Sequence, residues 1–113
     1  KTENESFQPF QPIADEHQTL YLGFDKKLLK GSISLFFSLE DQRYPDEKRP
    51  RVQWYYYAEG DKWTRLDVVD GTENLTRSGT VELLGPPDFA QTSLFGKEKY
   101  WLKAVDIEDR FQP

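Results

Sequence analysis

The sequence predicts an all-β fold, an antiparallel β-sandwich of six to eight strands, and three observations predict it. Apolar and polar residues alternate with period two along several short runs. Turn-forming residues interrupt those runs about every 8–12 residues, the rhythm of small sandwiches. No stretch sustains a 3.6-residue apolar period, so packed helices are not expected. Jelly-roll-like and immunoglobulin- or fibronectin-like strand orders both satisfy the pattern, because hairpin signals do not say which sheet a strand joins.

Residues 1–17 form a polar lead-in carrying Phe7-Gln8-Pro9 and then Phe10-Gln11-Pro12. Prolines at that spacing favour an extended path, here expected to lay Phe7, Phe10 and Ile13 on a single sandwich domain over residues 18–113. Phe-Gln-Pro recurs at residues 111–113, but three residues are too few to mark a repeat. In the first strand Leu20, Leu22 and Phe24 alternate with Tyr21 and Gly23, and residues 25–31 read as the loop of a hairpin. The next strand sets Ile33, Leu35, Phe37 and Leu39 against Ser32, Ser34, Phe36 and Ser38. Residues 40–51 hold four acids, four bases and two prolines, a charge-balanced loop expected on the solvated surface with Tyr44 near its tip.

Val52–Ala58 comes next, with Val52, Trp54, Tyr56 and Ala58 on one face and Gln53, Tyr55 and Tyr57 on the other. A turn at Glu59-Gly60-Asp61 leads into a partner strand over residues 63–68. A strand with aromatic bulk on both faces is covered on both or offers one to a partner. Asp70-Gly71-Thr72 signals a turn, and residues 73–78 have room for at most one helical turn. Gly71 and Gly79 are expected in turns, in backbone conformations that a bulky residue would strain. Gly79–Leu84 is a strand with Val81 and Leu83 on one face, stopped by Gly85-Pro86-Pro87-Asp88. The last strand, residues 99–105, sets Tyr100, Leu102 and Ala104 opposite Trp101, Lys103 and Val105. The expected core is Leu22, Ile33, Leu35, Phe37, Trp54, Leu66, Val81 and Leu102, and all three tryptophans, Trp54, Trp63 and Trp101, are expected to be buried in it.

Composition narrows the function classes. With 113 residues the chain has room for one core and not for two. A net charge of −5, with Lys and Arg scattered among acids, argues against a nucleic-acid partner, whose phosphates need a basic stripe. No apolar run approaches the ~18 residues of a membrane span, so no membrane insertion is expected. The absence of cysteine rules out disulfides and thiolate metal sites and fits synthesis in the cytoplasm. The first residue is Lys rather than Met and no apolar leader follows it, so a domain excised from a longer chain is expected.

Little points to catalysis. The one histidine, His17, lies beside Asp15 and Glu16 in the lead-in, where no scaffold holds it for a triad. Asp67, Asp70, Asp106, Glu108 and Asp109 are the candidate ligands for calcium, which wants several oxygens. The run Asp67-Val68-Val69-Asp70-Gly71 lacks the alternating acids of a calcium loop, so turn and cap roles are preferred. Asn74-Leu75-Thr76 matches a glycosylation sequon that is expected to go unused. No cofactor, metal or catalytic residue is therefore expected, and the chain is read as a non-enzyme. The expected interaction surface is Tyr55 and Tyr57, with Tyr44 and Phe95 at loop tips.

One ordered series of motifs carries a resemblance. Leu20-Tyr21-Leu22-Gly23-Phe24-Asp25 is followed by Gly31-Ser32-Ile33-Ser34-Leu35-Phe36-Phe37 and Trp54-Tyr55-Tyr56. Trp63, Leu66, Val68 and Asp70-Gly71-Thr72 come next, then Leu75-Thr76, Ser78-Gly79, Val81, Gly85-Pro86 and Asp88. Leu94-Phe95-Gly96 and Tyr100-Trp101-Leu102 close it. Over residues 19–105 this succession resembles an internal domain of baseplate assembly proteins related to the phage baseplate J family, components of phage tails and tail-like contractile injection particles. The resemblance implies a structural role in a baseplate, with other baseplate subunits as partners and no catalytic residues to carry over. The departures lie in residues 40–51 and at both termini. The alternative is a carbohydrate-binding sandwich using Tyr55 and Tyr57 as a platform. A flat, exposed Tyr pair beside a polar groove would favour a glycan, and burial would favour a scaffold. A small hydrolase, which would need carboxylates converging in a cleft, ranks last.

Overall fold

The computed structural model describes residues 18–28, 31–40 and 50–108. Among the described residues eight strands form two antiparallel sheets: β1 (Thr19–Phe24), β2 (Ser32–Phe37), β3 (Val52–Ala58), β4 (Lys62–Leu66), β5 (Val68–Asp70), β6 (Gly79–Leu84), β7 (Gln91–Leu94) and β8 (Lys97–Asp106). The larger sheet runs β1-β8-β3-β4, with β7 paired to the first half of β8; the smaller runs β2-β6-β5. The all-β sandwich expected from alternation is the fold, and no helix occurs among the described residues.

The inner faces meet in one core. Leu20 from β1, Phe37 from β2, Trp54 and Tyr56 from β3, Leu66 from β4, Val81 and Leu83 from β6 and Leu102 and Ala104 from β8 are all buried there. Of the expected core, Leu22, Ile33 and Leu35 are half-buried and pack against this cluster. Tyr56 adds a polar tie, its hydroxyl donating to Asp88 Oδ1 at 2.7 Å. That bond, with burial, pushes its phenol up to about 12.

Four expectations need correction. β1 and β2 do not form the expected hairpin: β1 pairs with β8 and β2 with β6, so the two strands belong to different sheets. The strand expected over residues 63–68 breaks at Asp67, leaving β4 in the large sheet while β5 joins β6 in the small one. Leu66 and Val68 both belong to the core, so period-two alternation passes through this corner unbroken. Trp54 and Trp101 are buried as expected and Trp63 is half-buried, but Trp63 and Trp101 lie on the opposite parity, on the outer side of the large sheet rather than in the core between the sheets. Finally, neither Gly71 nor Gly79 has positive φ, and Gly79 opens β6. Their reason is close approach: a Cβ on Gly79 would collide with the Gly71 carbonyl, and one on Gly71 would sit 2.8 Å from the Thr80 carbonyl oxygen.

The connection from β5 to β6 contains the single turn for which residues 73–78 have room, but of left hand. Glu73, Asn74 and Leu75 have φ of 50°, 63° and 61°. Left-handed backbone costs roughly 1–2 kcal/mol per L-residue, so the turn needs fastening. The Asp70 carboxylate accepts from the Thr72 N–H and hydroxyl at 2.7 and 2.6 Å and from the Asn74 N–H at 2.9 Å. The Thr72 hydroxyl in turn accepts from the Leu75 N–H at 2.9 Å, and Leu75 is buried. Asn74, the sequon residue, spends its amide oxygen on the Val52 N–H at 2.9 Å, tying this turn to the start of β3.

Candidate interaction surface

The outer face of the large sheet is where side chains gather that the core does not use. Because Trp54, Tyr56, Leu102 and Ala104 point inward, strand alternation turns Tyr55 and Tyr57 of β3 and Trp101 and Lys103 of β8 outward. Pairing brings Tyr21 of β1 opposite Lys103, and Arg65 and Trp63 of β4 opposite Tyr55 and Tyr57.

These side chains interlock. Tyr57 meets Trp63 edge to face at 5.3 Å, Trp63 lies 6.3 Å from Tyr21, and Tyr21 meets Phe95 at 5.1 Å. Phe95 also packs 5.8 Å from Trp101. The Lys103 ammonium sits 4.4 Å from the Trp63 ring centre and 5.7 Å from that of Tyr55, in reach of the negative face of each ring. Trp101 is pinned because its indole N–H donates to the Thr92 carbonyl at 3.0 Å. Its ring crosses β1 at Gly23, where a Cβ would come within 2.8 Å of it, so this strand position admits no side chain without moving the indole.

The phenol hydroxyls are held from within. Tyr55 donates to Gln53 Oε1 at 2.8 Å and Tyr57 to Asp61 Oδ1 at 3.0 Å. Burial, together with the Asp61 carboxylate, pushes the Tyr57 phenol above its ordinary range. At the rim, Lys99 pairs with Asp25 at 2.6 Å, and its hydrogen bond and charge hold that carboxyl below the usual range.

Phe95 occupies an unusual place. Leu94 pairs with Lys97, leaving a two-residue turn in which Phe95 has φ of 55° and Gly96 of 75°. Both central positions with positive φ make a type I′ turn, whose first position favours Asn, Asp or Gly. A bulky residue there is strained, and Phe95 remains 57% exposed.

Of the expected interaction residues, the structure places Tyr55, Tyr57 and Phe95 on this one face; Tyr44 lies outside the described residues. The sequence reading missed Tyr21, Trp63, Trp101 and Lys103 as members. Their outward parity against Leu22 and Leu102 was the signal that could have found them. A second, separate group of exposed apolar side chains, Phe36, Val69 and Leu84, lies on the small sheet.

No group of three or more His, Cys, Asp or Glu among the described residues is placed to hold a metal ion. Of the calcium candidates, Asp70 spends both carboxylate oxygens on its own turn, Asp106 is buried and accepts from the Glu108 N–H at 3.2 Å, and Asp67 is exposed. Asp109 and His17 lie outside the described residues. A cleft of about 360 Å³ brings Asp67, Asp70 and Glu73 near Arg65. There Glu73 pairs with Arg77 at 3.3 Å, and Asp70 is committed as described.

Compared with protein families, residues 8–112 match the model described as Baseplate protein PVC11-like. No curated protein matches the chain.

Proposed function

This chain belongs to the PVC11-like baseplate protein family, and from that premise we propose that it is a non-catalytic module that fixes neighbouring subunits of a phage-tail-like baseplate. The observation that carries this reading is the interlocked aromatic face of the large sheet, with Phe95 held half-open at its edge. Rings already packed against one another lose little freedom when a partner covers them, which suits a contact surface. The scaffold beneath is cross-tied by Tyr56 to Asp88 and by Asn74 to the β3 backbone, so the face keeps its shape.

The same geometry supports a glycan platform less well. The ring pairs Tyr57–Trp63, Tyr21–Phe95 and Phe95–Trp101 meet at 81°, 74° and 78°, so they do not offer coplanar faces to a sugar. The hydroxyls of Tyr55 and Tyr57 are spent on Gln53 and Asp61 rather than facing a polar groove.

Particles lacking only this domain test the reading. Incomplete baseplates or particles unable to contract are the expected result. Fully assembled, firing-competent particles would overturn it and transfer the case to binding of a target-surface glycan.

A further inference from the structure

We propose that the Phe95 turn and the cations beside it form the docking site for an acidic segment of a neighbouring baseplate subunit, with the Phe95 ring as the apolar anchor. This rests on the baseplate reading above and adds to it a location and a partner chemistry.

The first support is the strain at Phe95. A type I′ turn is made most easily by Asn-Gly, yet here a phenyl ring takes the left-handed first position at φ 55°. Strain of this kind gathers at sites of function. Its contacts with Tyr21 and Trp101 leave 57% of the residue open, so its own fold uses only part of the ring. Those contacts also orient it, and Trp101 beneath is itself fixed to the Thr92 carbonyl. A large, oriented, part-open aromatic is the usual form of an interface anchor.

Charge supplies the second support and selects the partner. On a chain of net charge −5, the outward positions of β4 and β8 carry Arg65, Lys97, Lys99 and Lys103. Among the acids on and around this face, Asp25 is paired with Lys99 and Asp61 holds the Tyr57 hydroxyl. Asp67, Asp70 and Glu73 share a cleft with Arg65, where Asp70 is spent on its own turn and Glu73 pairs with Arg77. Arg65 and Lys97 are exposed, and neither makes an ion pair with the described residues. A cationic face on an acidic protein steers towards carboxylates. The other exposed apolar group, Phe36, Val69 and Leu84, has Glu82 among it and no cation on the same strands. It therefore serves as the internal control.

Site-specific photocrosslinking within assembled particles tests this, with p-benzoylphenylalanine replacing Phe95 or, separately, Phe36. The expected result is a crosslink from position 95 to another subunit at a stretch dense in Asp and Glu, roughly tenfold or more above that from position 36. A crosslink to a neutral or basic stretch, an equal or stronger yield from position 36, or none from position 95 would overturn the proposal while leaving the baseplate reading intact. Absence of the protein from particles would overturn both. Phe95→Gly gives an independent arm, because glycine relieves the turn and keeps the fold. Its melting temperature should stay within a few degrees of the parent while incorporation into particles falls about tenfold. Arg65→Glu combined with Lys97→Glu should lower incorporation similarly. Normal incorporation of both variants would sink the proposal.

Discussion

Trp54 shows how volume outweighs hydrogen bonding at the level of one residue. Its indole is 2% exposed, packs 6.0 Å from Phe37, and its N–H has no acceptor among the described residues. An orphaned buried donor costs about 1–3 kcal/mol, so the ring is retained for the space it fills between the sheets. Trp54→Phe should therefore be mild, since the lost volume is offset by removal of the orphan. Phe37→Ala, which only opens a cavity, should cost about 3–5 kcal/mol by chemical denaturation. A cost under about 1 kcal/mol would show that Phe37 is not a core residue. Tyr56 makes a pH-dependent contribution. Its phenol titrates near 12 in the fold against an ordinary 10.0, so the folded state holds this proton more tightly than the unfolded chain. Stability from this group is full below about pH 10 and is lost as pH climbs towards about 12. Tyr56→Phe should flatten that alkaline fall while lowering stability at neutral pH, because Asp88 loses its donor. Urea midpoints at neutral pH and at about pH 11 check both halves.

Among the elements, the paired glycines give the sharpest test. Gly79→Ala drives a methyl into the Gly71 carbonyl, and backbone cannot step aside as a flexible side chain would. A loss of about 1–3 kcal/mol is expected, at the level of core overpacking. Gly60→Ala, with nothing within 4 Å of the added carbon, suffers only from its φ of 88°. The difference between these two variants separates collision from conformational strain. Period-two alternation made β1, β2, β3, β6 and the latter part of β8 legible beforehand. It could not reveal the change of sheet at Asp67, because residues on either side of a sandwich corner point into the same core. Nor could it reveal β7, whose Gln91-Thr92-Ser93-Leu94 has no apolar face and is held by its ladder to β8. The left-handed turn was hidden for a different reason. It depends on Asp70 reaching forward to Thr72 and Asn74, and such local bonds leave no periodic trace.

The whole molecule presents two unlike exteriors, an aromatic and cationic one on the large sheet and a smaller apolar one around Phe36, Val69 and Leu84. Three members of the first were legible because the Tyr55 and Tyr57 repeat and the Phe95 tip stand out in the sequence. Tyr21, Trp63, Trp101 and Lys103 were not, since bulky strand residues are by default assigned to a core. Contacts of this sort need be strong only once an assembly aligns them. The isolated chain is accordingly expected to sediment as a monomer or weak associate, and a stable dimer at micromolar concentration would contradict that. One feature of the large sheet also bears on force. Thr19 lies opposite Val105, so the polypeptide enters β1 and leaves β8 at the same end of a six-pair ladder. Tension applied through the two flanking stretches would peel that ladder open rung by rung, like a zipper. A load crossing the sheet from face to face would be shared by the whole ladder at once. A domain wired this way withstands pressure across the sheet far better than tension on its two flanking stretches.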